Sequence, residues 1–294
     1  MKTPVSLHGR DLLRVRDLTR EEAETILDLG ADLKANPQPL LPQKTLGLIF
    51  GQPSTRTRIS FAAAIVQLGG GFVTLTPQEM QLSRGESLSD TAHVLSRYLD
   101  ALAIRILSHE ELEAWAAAAE IPVINALTSV EHPCQALADA LTIRQRLGGL
   151  DGVKVAWVGD GSNVLVSLAH MGVLTGMEIV AACPEGYEPP AGTPLRLVGD
   201  PREAAAGADV LVTDIWVSLG QEETREERLR DLEPYRLDES LLALASPEAV
   251  VLHCLPAHPG EEIAPEVLYG AHSAVWDEAE NRLHVQKALL ALLL

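Results

Sequence analysis

The chain is short of positive charge: 41 acidic residues stand against 23 basic ones, a formal net charge of -18. That balance excludes nucleic acid and anionic membrane as main partners, because both require a basic surface. Cysteine is scarce as well. Cys134, Cys183 and Cys254 lie far apart with no CxxC and no metal-ligand spacing, which excludes a disulfide framework and a zinc site. No apolar run approaches the roughly 20 residues a membrane span needs. The opening MKTPVSLHGRDLL has no continuous apolar segment of the secretory kind. The expectation is a cytoplasmic protein with no membrane partner and no bound metal.

What is present is an alternation. Short apolar runs take turns with longer amphipathic stretches over the whole 294 residues, the pattern of parallel βαβ units, and the length suits two domains with a core each. The first half predicts strands at 45–50, 72–76, 101–106 and 123–127, with helices over 55–68 and 88–99. The second half predicts strands at 153–158, 178–182, 195–198, 208–216 and 250–255, with a helix over 135–147 between the two sets. Thr19 with Glu22, and Ser87 with Asp90, have the spacing of helix N-terminal caps. The expected fold is α/β: two similar domains, each an open, mainly parallel sheet flanked by helices. In such sheets ligands bind beyond the carboxyl ends of the strands, so the residues just after each run are where chemistry is sought.

Five stretches meet that condition. Ser54-Thr-Arg-Thr-Arg58 joins a strand end to a helix start, where hydroxyls, backbone N–H groups and the Arg56 fork suit a phosphate. His132-Pro-Cys-Gln135 opens a helix after a strand, with His132 and Gln135 placed to polarise a carbonyl and hold an amide. Val158-Gly-Asp-Gly-Ser-Asn-Val164 looks like a dinucleotide turn but carries Val164 where the fingerprint needs its third glycine. That excludes the dehydrogenase reading and leaves Asn163 as a donor and acceptor for an amino-acid head group, or as the cap of the next helix. Asp214 ends an apolar strand, a costly place for a carboxylate unless it meets a cation or hydrogen-bond donors. The charged run 224–231 beyond it reads as a solvated helix face. His253-Cys-Leu-Pro256 ends another strand, and Arg105 and Arg282 complete the set.

Together, Ser54-Thr-Arg-Thr-Arg58, His132-Pro-Cys-Gln135, Asp214-Ile-Trp-Val-Ser-Leu-Gly220 and His253-Cys-Leu-Pro256 closely resemble the ornithine carbamoyltransferase family, nearly end to end. The resemblance implies transfer of the carbamoyl group of carbamoyl phosphate to the side-chain amine of L-ornithine through a tetrahedral intermediate, without a cofactor, giving L-citrulline and phosphate. It implies that carbamoyl phosphate is held by Ser54, Thr55, Arg56, Thr57, Arg105, His132, Pro133, Cys134 and Gln135, with Cys254, Leu255 and Arg282 closing the site. Gln81 resembles the residue that the family lends across a subunit boundary. Ornithine is expected on Asn163, Asp214, Ser218 and Leu219, the last standing where many relatives have Met. The catalytic set is expected to be Arg56, Arg105, His132, Asp214 and Cys254. Residues 1–132 would form the carbamoyl phosphate domain, with the helix 279–294 packed back on it, and 133–278 the ornithine domain. The family forms trimers, sometimes stacked, so a homo-oligomer is expected. An aspartate acceptor would call for arginines in the substrate domain, and neither 155–175 nor 208–220 contains one.

Overall fold

The computed structural model describes residues 6–218 and 222–294. In chain order its elements are α1 (Arg20–Ala35), β1 (Thr45–Phe50), α2 (Arg56–Gln67), β2 (Gly71–Leu75), α3 (Leu88–Ser96), β3 (Ala101–Arg105), α4 (His109–Ala118), β4 (Val123–Leu127) and α5 (Pro133–Leu147). There follow β5 (Lys154–Val158), α6 (Asn163–Thr175), β6 (Glu178–Ala182), β7 (Arg196–Val198), α7 (Pro201–Ala205), β8 (Val210–Thr213), α8 (Arg225–Leu232), α9 (Glu239–Leu242), β9 (Val250–His253), α10 (Pro265–Leu268) and α11 (Val275–Leu293). The chain divides into two compact units. One comprises the chain up to Ala138 with Asn281–Leu294, the other Asp139–Glu280.

The first unit holds a four-stranded parallel sheet in the order β2-β1-β3-β4. β3 is buried over its first four residues and β4 likewise, as parallel strands covered on both faces require. Leu102, Ile104 and Val123 pack there with Ile49, Leu112 and Trp115. α11 is tied to α1 in this unit: Lys34 Nζ donates to Asn281 Oδ1 at 3.0 Å, and the buried Lys287 Nζ donates to the Leu33 carbonyl at 2.9 Å. The second unit holds a five-stranded parallel sheet, β7-β6-β5-β8-β9, whose core includes Ala156, Val158, Ala182, Leu211 and Val251. Two parallel α/β sheets are the architecture expected from the alternating pattern. Among the described residues, no helix is long and apolar enough to cross a membrane.

Helix starts follow local chemistry. The Thr19 hydroxyl accepts from the Glu22 N–H while the Glu22 carboxylate accepts from the Thr19 N–H, a closed capping box. Ser87 and Ser108 cap α3 and α4 one way only, their hydroxyls accepting from the Asp90 and Glu111 N–H groups. α6 ends on Gly176 at φ +83°, where a Cβ would lie 2.1 Å from the Asp151 carboxylate, so only glycine closes that turn. Two strands stop two or more residues before their expected ends at 216 and 255. β8 ends at Thr213 because the Asp214 carboxylate takes the Ile215 N–H at 2.8 Å and turns the chain. β9 ends at His253 because Leu255 adopts φ +55° and gives its N–H to His253 Nδ1 at 2.9 Å. Helix α11 begins at Val275, four residues before the expected start, and the Glu278 N–H already donates to the Ala274 carbonyl.

Candidate functional site

Strand order locates a point of reversal in each sheet. In the first unit the chain leaves β1 for β2 on one side and returns to β3 on the other, so the crevice opens beyond Phe50 and Arg105. In the second, β5 is followed outward by β6 and β7 and on its other side by β8, so the crevice opens beyond Val158 and Thr213. These are the positions where open α/β sheets bind ligands.

Beyond Phe50 lie Ser54, half-buried, and Thr55, exposed, and then α2 begins at Arg56. Thr55, the N-terminal residue of that helix, makes no side-chain cap, so the first turn is not closed by the chain's own hydroxyl. Thr57 is buried, 2% exposed, and accepts from Arg282 Nη2 at 2.7 Å. Arg282 Nη1 reaches His132 Nε2 at 3.1 Å and also donates to Gln135 Oε1. An arginine only donates, so Nε2 accepts and the His132 proton sits on Nδ1. Burial first, then the guanidiniums of Arg282, Arg105 and Arg56, hold the His132 imidazole well below its ordinary pKa and therefore neutral. His132, Pro133, Cys134 and Gln135 are all buried at the start of α5. Burial pushes the Cys134 thiol up to about 12, so it is a packing residue with a neutral sulfur. Gln81 stands apart. It lies exposed on the short 3-10 turn Gln81–Arg84, and its side chain makes no hydrogen bond to this cluster.

In the second unit, Asp214 is 7% exposed and surrounded by donors: the Ile215 N–H, the Cys254 thiol at 2.9 Å and the Ser162 hydroxyl at 3.3 Å. That satisfies a carboxylate at the end of an apolar strand. Burial, then the Asp214 carboxylate, push the Cys254 thiol well above its ordinary value, so the sulfur donates and is no thiolate nucleophile. Ser162 caps α6 through the Val164 N–H, so Asn163 is not the cap and sits half-buried as the first helical residue. Ser218 is half-buried, and Leu219 lies outside the described residues. Leu255, at φ +55°, holds a conformation that side chains seldom adopt, the kind of backbone strain found where a loop must aim at a ligand.

Four residues of the site were not singled out in the sequence. Ser162 reaches Asp214, Glu262 accepts from His253 Nε2 at 3.1 Å, and Asp160 pairs with Arg228. Only Ser162 had a local signal, a serine directly before a helix. The pairing with Arg228 also corrects the reading of 224–231: most of the run is exposed, but the Arg228 side chain is 11% exposed and ion-paired.

Matches to known families cover both units. Residues 10–145 match the aspartate/ornithine carbamoyltransferase, carbamoyl-P binding domain, and residues 151–293 match the aspartate/ornithine carbamoyltransferase, Asp/Orn binding domain. The chain belongs to the aspartate/ornithine carbamoyltransferase family. Among carbamoyltransferases similar to it, the ornithine carbamoyltransferase of Carboxydothermus hydrogenoformans is 50% identical, over 98% of this chain and 99% of that one. That of Pyrococcus abyssi is 48% identical, over 99% and 97%. The solved ornithine carbamoyltransferase of Pyrococcus furiosus superposes with a TM-score of 0.94 at 47% identity, covering 99% of this chain and 98% of that one. The Thermus thermophilus structure gives 0.91 at 43%, covering 97% and 99%.

Among the described residues of this carbamoyltransferase fold, two groups have metal-ligating donors close together: Asp214, His253 and Cys254, and His258, Glu261 and Glu262. Most of these donors are already engaged within the chain, Glu262 Oε2 excepted. Cys254 and Asp214 bond each other, both His253 nitrogens are used, Glu261 pairs with Arg225, and Glu262 holds His253 and the His258 N–H. The carbamoyltransferase turn 159–161 is equally committed. A Cβ on Gly161 would lie 2.3 Å from the Pro189 nitrogen and 2.6 Å from the Glu188 carbonyl carbon. Gly161→Ala is therefore expected to cost about 1–3 kcal/mol by overpacking against backbone that has no rotamer to yield. Scanning calorimetry would show the lower Tm; an unchanged Tm would mean that the 187–189 loop yields freely.

Proposed function

We propose that the chain transfers the carbamoyl group of carbamoyl phosphate to the side-chain amine of L-ornithine, giving L-citrulline and phosphate. The observation that carries the first half-site is the buried Arg282 guanidinium bonded to His132, Gln135 and Thr57, with the charges of Arg105 and Arg56 also acting on that histidine, beside an uncapped helix start. A phosphate leaving as an anion needs that positive field, and the helix dipole adds to it. We assign Ser54, Thr55, Arg56 and Thr57 to the phosphate. His132, Arg105 and Thr57 are assigned to the carbonyl oxygen, which gains negative charge as the carbon becomes tetrahedral. Gln135, its Oε1 accepting from Arg282, presents its NH2 as the donor end of the amide.

Asp214 carries the acceptor half-site. Three donors orient this carboxylate to meet an ammonium, and the Cys254 thiol shares one of its oxygens. Asn163 and Ser218 are assigned to the amino-acid head group. The amine attacks only after losing a proton, and its solution pKa is near roughly 10.4, so the rate rises from neutral to alkaline pH. The departing phosphate is a base of the right charge to take that proton.

The first unit exposes a set of large apolar side chains: Ile59 and Val66 on α2, Phe72 and Val73 on the edge strand β2, and Val94 and Tyr98 at the end of α3. Apolar surface of this kind supports a homo-oligomer, and a trimer in particular by the resemblance, with Gln81 lent to a neighbouring copy. A cytoplasmic location is favoured by the acidic charge and by three free thiols.

The test is citrulline formation with ornithine, aspartate and N-acetylornithine as parallel acceptors across neutral to alkaline pH, with Arg56→Ala as control. Turnover with ornithine alone, rising with pH and lost in the control, is the expected result. Turnover with aspartate would reassign the acceptor.

A further inference from the structure

We propose that Arg228 is the positioning residue of the acceptor half-site, a single side chain that holds the turn before Asn163 and the turn after Asp214 to each other. The inference rests on the ornithine reading above. Arg228 Nη2 pairs with the Asp160 carboxylate, three residues before Asn163. Its Nε donates to the Trp216 carbonyl, midway between Asp214 and Ser218. The guanidinium lies 4.9 Å over the ring of Tyr187, whose carbonyl accepts the Gly161 N–H at 2.8 Å. Every residue assigned to ornithine is thus within three positions of an atom that this guanidinium touches. Both partners of the pair are well covered, at 11% and 13% side-chain exposure.

The contacts around the pair fix it from each side. Trp157 Nε1 donates to the Asp160 carbonyl at 2.9 Å, anchoring the turn to β5, and Tyr187 donates from its hydroxyl to Asp231 at 3.1 Å, anchoring α8. Two acceptors and a ring face suit the planar fork of arginine and not the single point charge of lysine. The pair also has an electrostatic consequence. Asp160 and Asp214 are near enough to repel, and burial pushes the Asp160 carboxyl up to about 6 even beside the guanidinium. The Arg228 guanidinium offsets the Asp160 charge and leaves Asp214 as the carboxylate that an incoming ammonium meets.

The experiment compares wild type with Arg228→Gln, Arg228→Lys and Asp160→Asn/Arg228→Gln, varying each substrate in turn and measuring Tm for every variant. Arg228→Gln is expected to raise KM for ornithine by about tenfold or more while leaving KM for carbamoyl phosphate within about twofold, because only the acceptor turns lose their tie. Arg228→Lys keeps the charge and is expected to regain stability but little of the ornithine affinity. The double variant has no unpaired carboxylate, so its Tm recovers while its KM for ornithine stays high. The proposal is overturned if KM for ornithine is unchanged in Arg228→Gln, if all kinetic constants fall in step with Tm, or if the double variant regains wild-type KM. Wild type without ornithine turnover would instead reject the underlying reading, and this inference with it.

Discussion

Alanine in place of Arg282 is expected to lower kcat/KM for carbamoyl phosphate by about two to three orders of magnitude, with most of the loss in kcat. Arg282 is 3% exposed, and its two terminal nitrogens serve Gln135, His132 and Thr57 together. His132 and Thr57 are assigned to groups whose charge grows in the transition state, so the loss appears in the chemical step more than in ground-state binding. The deletion also acts on His132. Arg282 is the foremost of the three cations that keep its imidazole neutral and accounts for its Nε2 acting as acceptor. Without it the ring is no longer held in one tautomer, and its pKa rises from a depressed value toward the ordinary one. Activity lost in the variant should therefore not return on lowering the pH, because protonation would remove the neutral form. Lysine is expected to restore little, since one ammonium does not span three acceptors. Steady-state kinetics with calorimetric titration of carbamoyl phosphate would measure both parts. A loss below tenfold would show that Arg56 and Arg105 carry the field alone.

Much of this arrangement was legible in the sequence because it is local. Capping pairs three residues apart and apolar runs of five need no knowledge of distant contacts, and the Thr19–Glu22 cap and the helix that opens beyond Phe50 are read correctly for that reason. Strand ends were less legible. Ile215 and Trp216 continue the apolar run of β8 because they are wanted for packing, while a hydrogen bond from the Ile215 backbone N–H to the Asp214 carboxylate has already ended the ladder. Helix α4 was missed because its alanine-rich body has little amphipathic contrast, although Ser108 with Glu111 announces its start. The pairing of Asp160 with Arg228 was out of reach. The partners are 68 residues apart, and the arginine sits among other charged residues that remain in solvent. Nothing in a run of like composition marks the member that the fold buries.

Asn in place of Asp214 is expected to reduce kcat/KM for ornithine by about two to three orders of magnitude, the range for removing one side of a desolvated charge pair, while carbamoyl phosphate binding is retained. The amide oxygen still accepts from the Ile215 N–H and the Cys254 thiol, and its NH2 can donate to the Ser162 hydroxyl where the carboxylate accepted from it, so the fold around it is kept and the loss belongs to the charge. Two pH effects follow from the sign of that charge. A carboxylate beside the bound ammonium favours its protonated form, so its removal should move the alkaline rise in rate toward lower pH even as affinity falls. The same carboxylate helps to hold the Cys254 thiol well above its ordinary pKa. In the variant the thiol should ionise at lower pH and react faster with iodoacetamide at a given alkaline pH. Cys134 and Cys183 are buried with thiols pushed up to about 12, so the labelling reports on Cys254. A labelling profile identical to wild type would place the charge that acts on Cys254 elsewhere, in Glu278 or Asp139. Faster labelling together with lost ornithine turnover would mean that one carboxylate holds the thiol protonated and the amine in place.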